Sequence, residues 1–356
     1  MTATAAPPTA SSTLDAIAAA VARGRSRRNL RRRVIITILA ALVAGMFTVS
    51  LLFGHTYYSP SEVIRVILGE EVRGATFTVG RLRLPRAVTA LATGLCFGLG
   101  GVTFQTMLRN PLASPDVIGI SSGASSAAAV AIVSFSLGGT AVSTFAITAA
   151  LGVALLIYVL SYKDGVVGTR LVLMGIGVSA MSHSVTSYVL EEAGEWDRAE
   201  AYRWLTGSLN GSRWEDVVPV LLAMLVFVPM LLVQSRNLSI TRLGDDAAGG
   251  LGVRVERTRI LVIVSAVGLI AFATAATGPI AFVAFLSGPI AARLVGGSAP
   301  LLIPSALVGA LLVLVADFCG QYAFSLRYPV GVVTGVLGAP YLLYLIVRSN
   351  RAGGSL

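Results

Sequence analysis

Lys163, the only lysine of the chain, is followed by Asp164. A phosphate-binding P-loop requires a lysine followed by serine or threonine after a glycine-rich turn, so this chain has no such route to ATP. No H-E-x-x-H string occurs and no carboxylates cluster within an apolar stretch, which removes metalloprotease and paired-acid readings. The apolar stretches carry no proton-relay acid; their polar content is Gln105, His183, hydroxyls and many glycines. Cys96 and Cys319 each lie within or at the edge of a separate apolar stretch and read as small buried hydrophobes rather than a disulfide or metal pair. The two histidines, His55 and His183, are far apart in sequence and read as packing or interfacial groups rather than ligands.

Three polar connections stand out. The first is Arg81-Leu-Arg-Leu-Pro-Arg86, where Pro85 suits a helix start. Its arginines suit either interfacial snorkelling or reception of a partner's carboxylates. The second is Arg109-Asn-Pro-Leu-Ala-Ser-Pro-Asp116, followed by Gly119, Ser121, Ser122, Gly123 and Ala124. Two prolines break a helix there, and the small residues permit close backbone approach, the chemistry of helix packing or of a gate. The third is the longest polar connection, 235–259, with Leu238, Ile240, Leu243, Leu251 and Val253 among its charges. It reads as two short helices split at Gly249-Gly250, with apolar residues offered to a partner. In addition, Gly278-Pro279 and Gly288-Pro289 interrupt one short apolar segment, a pattern that lines translocation paths.

The elements that position these residues are membrane spans. Hydrophobic residues make up 55% of the chain and charged residues only 12%, against about 25% charged in a soluble domain. Apolar stretches recur at 34–53, 87–108, 117–137, 141–160, 171–190, 217–234, 260–277, 278–292, 300–316 and 329–347, and a bilayer needs about 20 residues per helix. The expectation is an all-α membrane protein of about ten transmembrane helices. With the amino terminus inside, two-thirds of the 27 basic residues fall on the inner side and most of the 17 acidic residues on the outer, so both termini are expected in the cytoplasm. The run Arg23, Arg25, Arg27, Arg28, Arg31, Arg32, Arg33 suits anionic lipid head groups rather than nucleic acid. Residues 1–33 read as a largely disordered basic segment with a short surface helix near 14–22, 34–348 as the transmembrane domain, and 349–356 as a tail.

Several of these strings resemble the FecCD family, permeases of bacterial ABC importers for iron-siderophores, haem and vitamin B12. They are Arg83-Leu-Pro-Arg86, Gln105, Asn110-Pro-Leu-Ala113, Gly119 with Gly123-Ala124, Trp204-Leu-Thr-Gly-Ser-Leu209, Leu243-Gly244 with Ala247 and Leu251-Gly252, Gly278-Pro-Ile with Phe282-Val283, Ala316-Asp317, and Pro329-Val-Gly331 with Gly338-Ala-Pro340. The resemblance implies a type II importer permease fold in the bacterial inner membrane, moving ferric siderophore by alternating access, with vitamin B12 or haem as alternative cargo. A secondary transporter is the reading from a different class. The resemblance also implies ABC ATPase subunits below, an extracytoplasmic substrate-binding protein above, and a second permease, most naturally an unlike one. No cofactor is implied for this chain; ATP and Mg would be used by the ATPase.

By the same resemblance, Arg83, Arg86, Gln321 and Arg327 would form the binding-protein corner. Asn110, Pro111 and Leu112 match one cytoplasmic gate, and Gly168 with Thr169 the other. The coupling loop spans about 236–257, with Arg242, Leu243, Gly244, Asp245, Ala247, Leu251 and Gly252 facing the ATPase. Two departures stand in this sequence: Pro289-Ile-Ala-Ala-Arg293 lacks a histidine common in relatives, and Gln321 stands where an outer arginine is expected.

Overall fold

A computed structural model describes residues 10–116, 118–162, 168–296 and 300–351. Among them the chain forms fourteen α-helices and no strand. In chain order they are α1 (Ala10–Leu52), α2 (Pro60–Ile67), α3 (Leu84–Met107), α4 (Ile120–Val133), α5 (Thr140–Ser161), α6 (Gly168–Glu192) and α7 (Glu195–Leu205), followed by α8 (Trp214–Val233), α9 (Ser235–Ile240), α10 (Asp245–Gly250), α11 (Val255–Thr277), α12 (Val283–Val295), α13 (Leu302–Tyr322) and α14 (Val330–Arg351). Each of the ten apolar stretches coincides with a helix: α1, α3, α4, α5, α6, α8, α11, α12, α13 and α14. Among the described residues six helical segments are long and apolar enough to cross a membrane alone; α4, α12 and the apolar part of α14 are shorter. Short helices at membrane depth need protein around their ends to satisfy the freed backbone groups, and α4 and α12 sit inside the bundle accordingly.

The centre of the bundle is α3, packed against α13, α11 and α12, with α1, α5 and α8 toward the perimeter. Glycines bring these helices together. A Cβ on Gly94 or Gly98 would meet the α13 backbone at 2.6 Å or 2.3 Å, so only glycine allows this approach, the small-residue packing that replaces hydrophobic drive within lipid.

Two expectations need correction. Residues 10–33 are helical and continuous with the first span, forming one 43-residue helix rather than a disordered segment and a separate surface helix. No proline interrupts 10–52 and alanine and arginine dominate its first half, so nothing stops helix propagation. The first nine residues lie outside the described ones. Second, the α3 helix is entered directly from a π-helical stretch, Thr76–Arg83, so Pro85 sits inside a longer helical rod rather than at a free start.

Candidate functional site: a cavity between two polar ends

At the end of the bundle opposite the basic run, a cavity of about 600 Å³ gathers Arg81, Arg83, Arg86, Arg213 and Arg327 with His55 around a single carboxylate, Asp317. Arg86 donates from Nε to Asp317 Oδ2 (2.8 Å) and from Nη2 to Oδ1 (2.7 Å), and from Nη1 to Asn210 Oδ1 (2.7 Å). Gln321 Nε2 adds a third bond to Asp317 (3.1 Å). Gln321 therefore serves the carboxylate from inside the corner. Arg327 Nη2 lies 2.6 Å from His55 Nε2.

Arg83 is turned inward. Its guanidinium donates to the carbonyls of Leu51 (2.9 Å), Leu52 (3.1 Å) and Thr56 (2.6 Å), and it lies over the Tyr58 ring. This caps the carbonyl end of α1, where a cation also meets the negative end of the helix dipole. Gly54 makes the room, since a Cβ there would stand 2.3 Å from Arg83 Nη2. Arg81, by contrast, is exposed.

Midway along the bundle lies a second cavity, of about 820 Å³. One wall is polar: Ser114, Asp116, Ser121, Ser122 and Ser125 from the loop and first turns of α4, with His183 and Thr186 from α6. Asp116 accepts from Ser121 Oγ (2.5 Å) and Ser114 Oγ (3.2 Å), and Ser122 Oγ lies 2.8 Å from Ser179 Oγ and 3.4 Å from His183 Nε2. The facing wall is apolar, with Leu112, Phe282, Phe285 and Leu342. Phe282 sits at the break before α12 with φ 64°, a left-handed backbone uncommon outside glycine. Strain of this kind collects at clamps and switch segments. Gly331 closes one side, its position set by the Thr206 carbonyl that a Cβ would meet at 1.9 Å.

Residues 119–123 spell Gly-Ile-Ser-Ser-Gly, the G-x-S-x-G string of a nucleophile elbow. Such an elbow needs a strand running into the helix. Here Gly119 follows a loop, and Ser121 donates its hydroxyl proton to Asp116, so the string serves helix entry.

Of the predicted gate residues, Asn110 and Pro111 are exposed, and Leu112 reaches the cavity wall. Asn110 Oδ1 accepts from Leu112 N (2.8 Å), a local turn that fixes the loop. Gly168 opens α6; the side-chain surroundings of Thr169 lie outside the described residues.

At the end bearing the basic run, 235–259 folds as α9, a 3₁₀ turn Thr241–Leu243, and α10. The break falls at Gly244 (φ 112°) rather than at Gly249-Gly250, which end α10, because only glycine takes that backbone without strain. Leu243 and Leu251 are 68% and 64% exposed, alongside exposed Arg242, Asp245, Ala247 and Gly252. Val253, expected on the same offered face, is buried with Leu238 and holds the loop to the bundle. Asp245 is bonded by Arg109 Nη2 (2.5 Å) and Arg259 Nη2 (2.9 Å). Partial burial pushes its carboxyl up, but the Arg259 and Arg109 guanidiniums outweigh this and hold it below the usual range.

Asp317, Asp116 and Arg109 were absent from the predicted site. A lone acid bordering an apolar span is itself the signal, since it requires a partner, and Arg86 was the cation available.

A bundle of apolar helices, broken by glycine and proline around a partly open cavity and polar at both ends, defines a multi-pass membrane protein. The FecCD transport family profile matches residues 37–348, and the chain belongs to that family. It is 39% identical over 328 residues to the ferric enterobactin transport system permease protein of Escherichia coli (strain K12), covering 90% of this chain and 98% of the relative. The achromobactin transport system permease protein of Dickeya dadantii (strain 3937) is 38% identical over 336 residues, covering 92% and 96%. The cobalamin import system permease protein of Halobacterium salinarum is 36% identical over 274 residues, covering 76% and 74%. Among solved structures, a metal-chelate type ABC transporter in an inward-facing conformation superposes with a TM-score of 0.79 at 27% identity, covering 88% of this chain and 99% of that one. The fold is that of an ABC importer permease.

Proposed function

We propose that this chain is the membrane-spanning subunit that passes a ferric siderophore from an extracytoplasmic binding protein to the cytoplasm, with ATP hydrolysed on separate ABC subunits. The observation that carries this is the partly open cavity lined by Leu112 of the proposed gate loop and by Phe282 and Phe285 of the α12 break, together with a loop that exposes Leu243 and Leu251. Two exposed leucines beside Arg242 and Asp245 suit a protein groove better than water. With the basic run cytoplasmic, the ATPase meets this loop and the binding protein meets the arginine-ringed vestibule. ATP-driven closure of the ATPase pair then moves the loop, and the cavity opens alternately to the two sides.

The names of the ferric enterobactin and achromobactin relatives support siderophore as cargo; the cobalamin relative supports the second reading, vitamin B12. In a strain lacking its own importers, uptake of labelled ferric siderophore but not of labelled cobalamin is the expected result. The reverse pattern would establish the second reading. Uptake that persists without the ATPase would replace both with a secondary transporter.

A further inference from the structure

Arg109 stands immediately before the gate residues Asn110, Pro111 and Leu112, and it is one of three non-glycine residues with positive φ among the described residues, at 52°. Its side chain leaves the gate loop altogether. Nε donates to the Thr241 carbonyl (3.0 Å) and Nη2 to Asp245 Oδ1 (2.5 Å), so one guanidinium grips the 3₁₀ turn and the first residue of α10 together. Asp245 is held from its other oxygen by Arg259 near the start of α11. On the gate side, Asn110 N donates to the Gln105 carbonyl (3.0 Å), and Gln105 Nε2 donates to the Phe285 carbonyl (2.9 Å). Gly288 leaves the space for that amide, since a Cβ there would meet Gln105 Oε1 at 1.9 Å. A chain of contacts thus runs from the exposed Leu243 face to the cavity wall, and within it the Arg109 side chain crosses from one loop to the other.

We infer that Arg109 is the positioning residue that transmits movement of the ATPase-docking loop to the inner gate and the Phe285 wall. The inference rests on the importer reading above. The Arg109 and Asp245 side chains are 43% and 48% exposed, and ion pairs of that exposure contribute little to stability. What the contact supplies is geometry: a planar fork makes two bonds in fixed directions, whereas lysine would make a single point contact.

The measurement is cargo imported per ATP hydrolysed, in proteoliposomes holding the full complex of permease, ATPase and binding protein with a labelled ferric siderophore. Arg109→Ala and Arg109→Lys are expected to retain the ATPase subunits and the basal hydrolysis rate. Import per ATP should fall by about tenfold, within the ordinary range of coupling between sites. Arg109→Gln, which keeps a polar side chain but removes the charged fork, should fall alike and serves if the other Arg109 variants are poorly produced. The double variant Arg109→Ala with Asp245→Asn should lose no more than either single one. Import per ATP at the wild-type ratio in Arg109→Ala, or parallel loss of hydrolysis and import at a constant ratio, would overturn the inference. Absence of ATP-dependent import in the wild-type complex would instead overturn the importer reading, and the inference with it.

Discussion

Arg86 grips both carboxylate oxygens of Asp317, 231 positions further along the chain, and so ties the start of α3 to the last turns of α13. The two side chains are only 18% and 10% exposed. Removing one partner from such a pair strands a charge in a poorly solvated place, at a cost of about 3 to 5 kcal/mol. We predict that Arg86→Ala lowers the thermal midpoint of the detergent-solubilised protein markedly. Replacing both residues by apolar ones of similar volume should recover most of the loss. A stability scan of the single and double variants checks this; equal destabilisation in both would show that the ion pair is not the cause.

The exposed loop leucines give the second prediction. Leu243 is 68% exposed and precedes the Gly244 break, so Leu243→Asp leaves the fold of the bundle unchanged. It places a charge where the ATPase groove is proposed to close. Membrane insertion should stay at the wild-type level while ATPase retention and uptake are lost. Normal uptake by a well-inserted variant would return this loop to a simple cover over the helix ends.

The ten apolar stretches, each falling on a helix, and the three polar connections were legible in the sequence because both signals are local: a bilayer demands long apolar runs, and Pro-Gly chemistry breaks them. Asp317 was read as lying beyond its span, while α13 carries it inside the helix and bonds it to Arg86. The resemblance assigns Arg83 to a partner's surface, and the fold adds a contact the sequence does not report, the cap on α1. In both cases the deciding contact spans tens to hundreds of residues, and no periodicity reports such a pairing. Val253 failed differently. An apolar residue in a polar loop signals burial against something, without saying whether the bundle or a partner covers it.

Arg83's inward bonds change how docking is best tested. Arg83→Glu would place a carboxylate against the carbonyls of Leu51, Leu52 and Thr56, so its effect on a binding protein is mixed with damage to the α1 end. Arg81 is exposed in the same vestibule and is the cleaner reporter. Arg81→Glu should weaken binding-protein affinity in nanodiscs, and the weakening should shrink as salt rises, because exposed charges are screened beyond about 10 Å at 0.1 M. An unchanged affinity and salt slope would assign Arg81 to the lipid interface.

Asp245 gives a prediction in pH. Its folded pKa is depressed, with Arg259 and Arg109 outweighing the opposing effect of burial. A depressed carboxylate contributes its stabilisation above the unfolded value, about 3.9, and loses it as pH falls through the lower folded value. Attachment of the 241–259 segment should therefore be constant from neutral pH down to the ordinary carboxylate range and loosen only below it. Hydrogen exchange in this segment, corrected for intrinsic rates, reads the effect. Loosening that begins near pH 6 would point to another group, and Asp245→Asn should abolish this small pH dependence.

The last prediction concerns the second permease. In a pair of identical chains, both lobes of the binding protein would meet a corner where Asp317 is already bonded by Arg86 and Gln321, and where Arg327 lies against His55. The neutral Gln321 stands where the family resemblance leads one to expect an arginine, so each corner forgoes a charge-assisted contact of about 1.5 to 3 kcal/mol. Two such losses, one per lobe, weaken docking by several orders of magnitude in the equilibrium constant, and an unlike partner that retains the arginine restores one of them. We predict that this chain works beside a different permease. Reconstituted alone with the ATPase and the binding protein, it should show neither substrate-stimulated hydrolysis nor import, and both should return when the second permease is supplied. Gln321→Arg in the lone chain should recover part of the docking affinity if the missing charge is the reason. Full import by the unmodified chain paired with itself would refute the unlike pair and pass the docking role to Arg81 and Arg327.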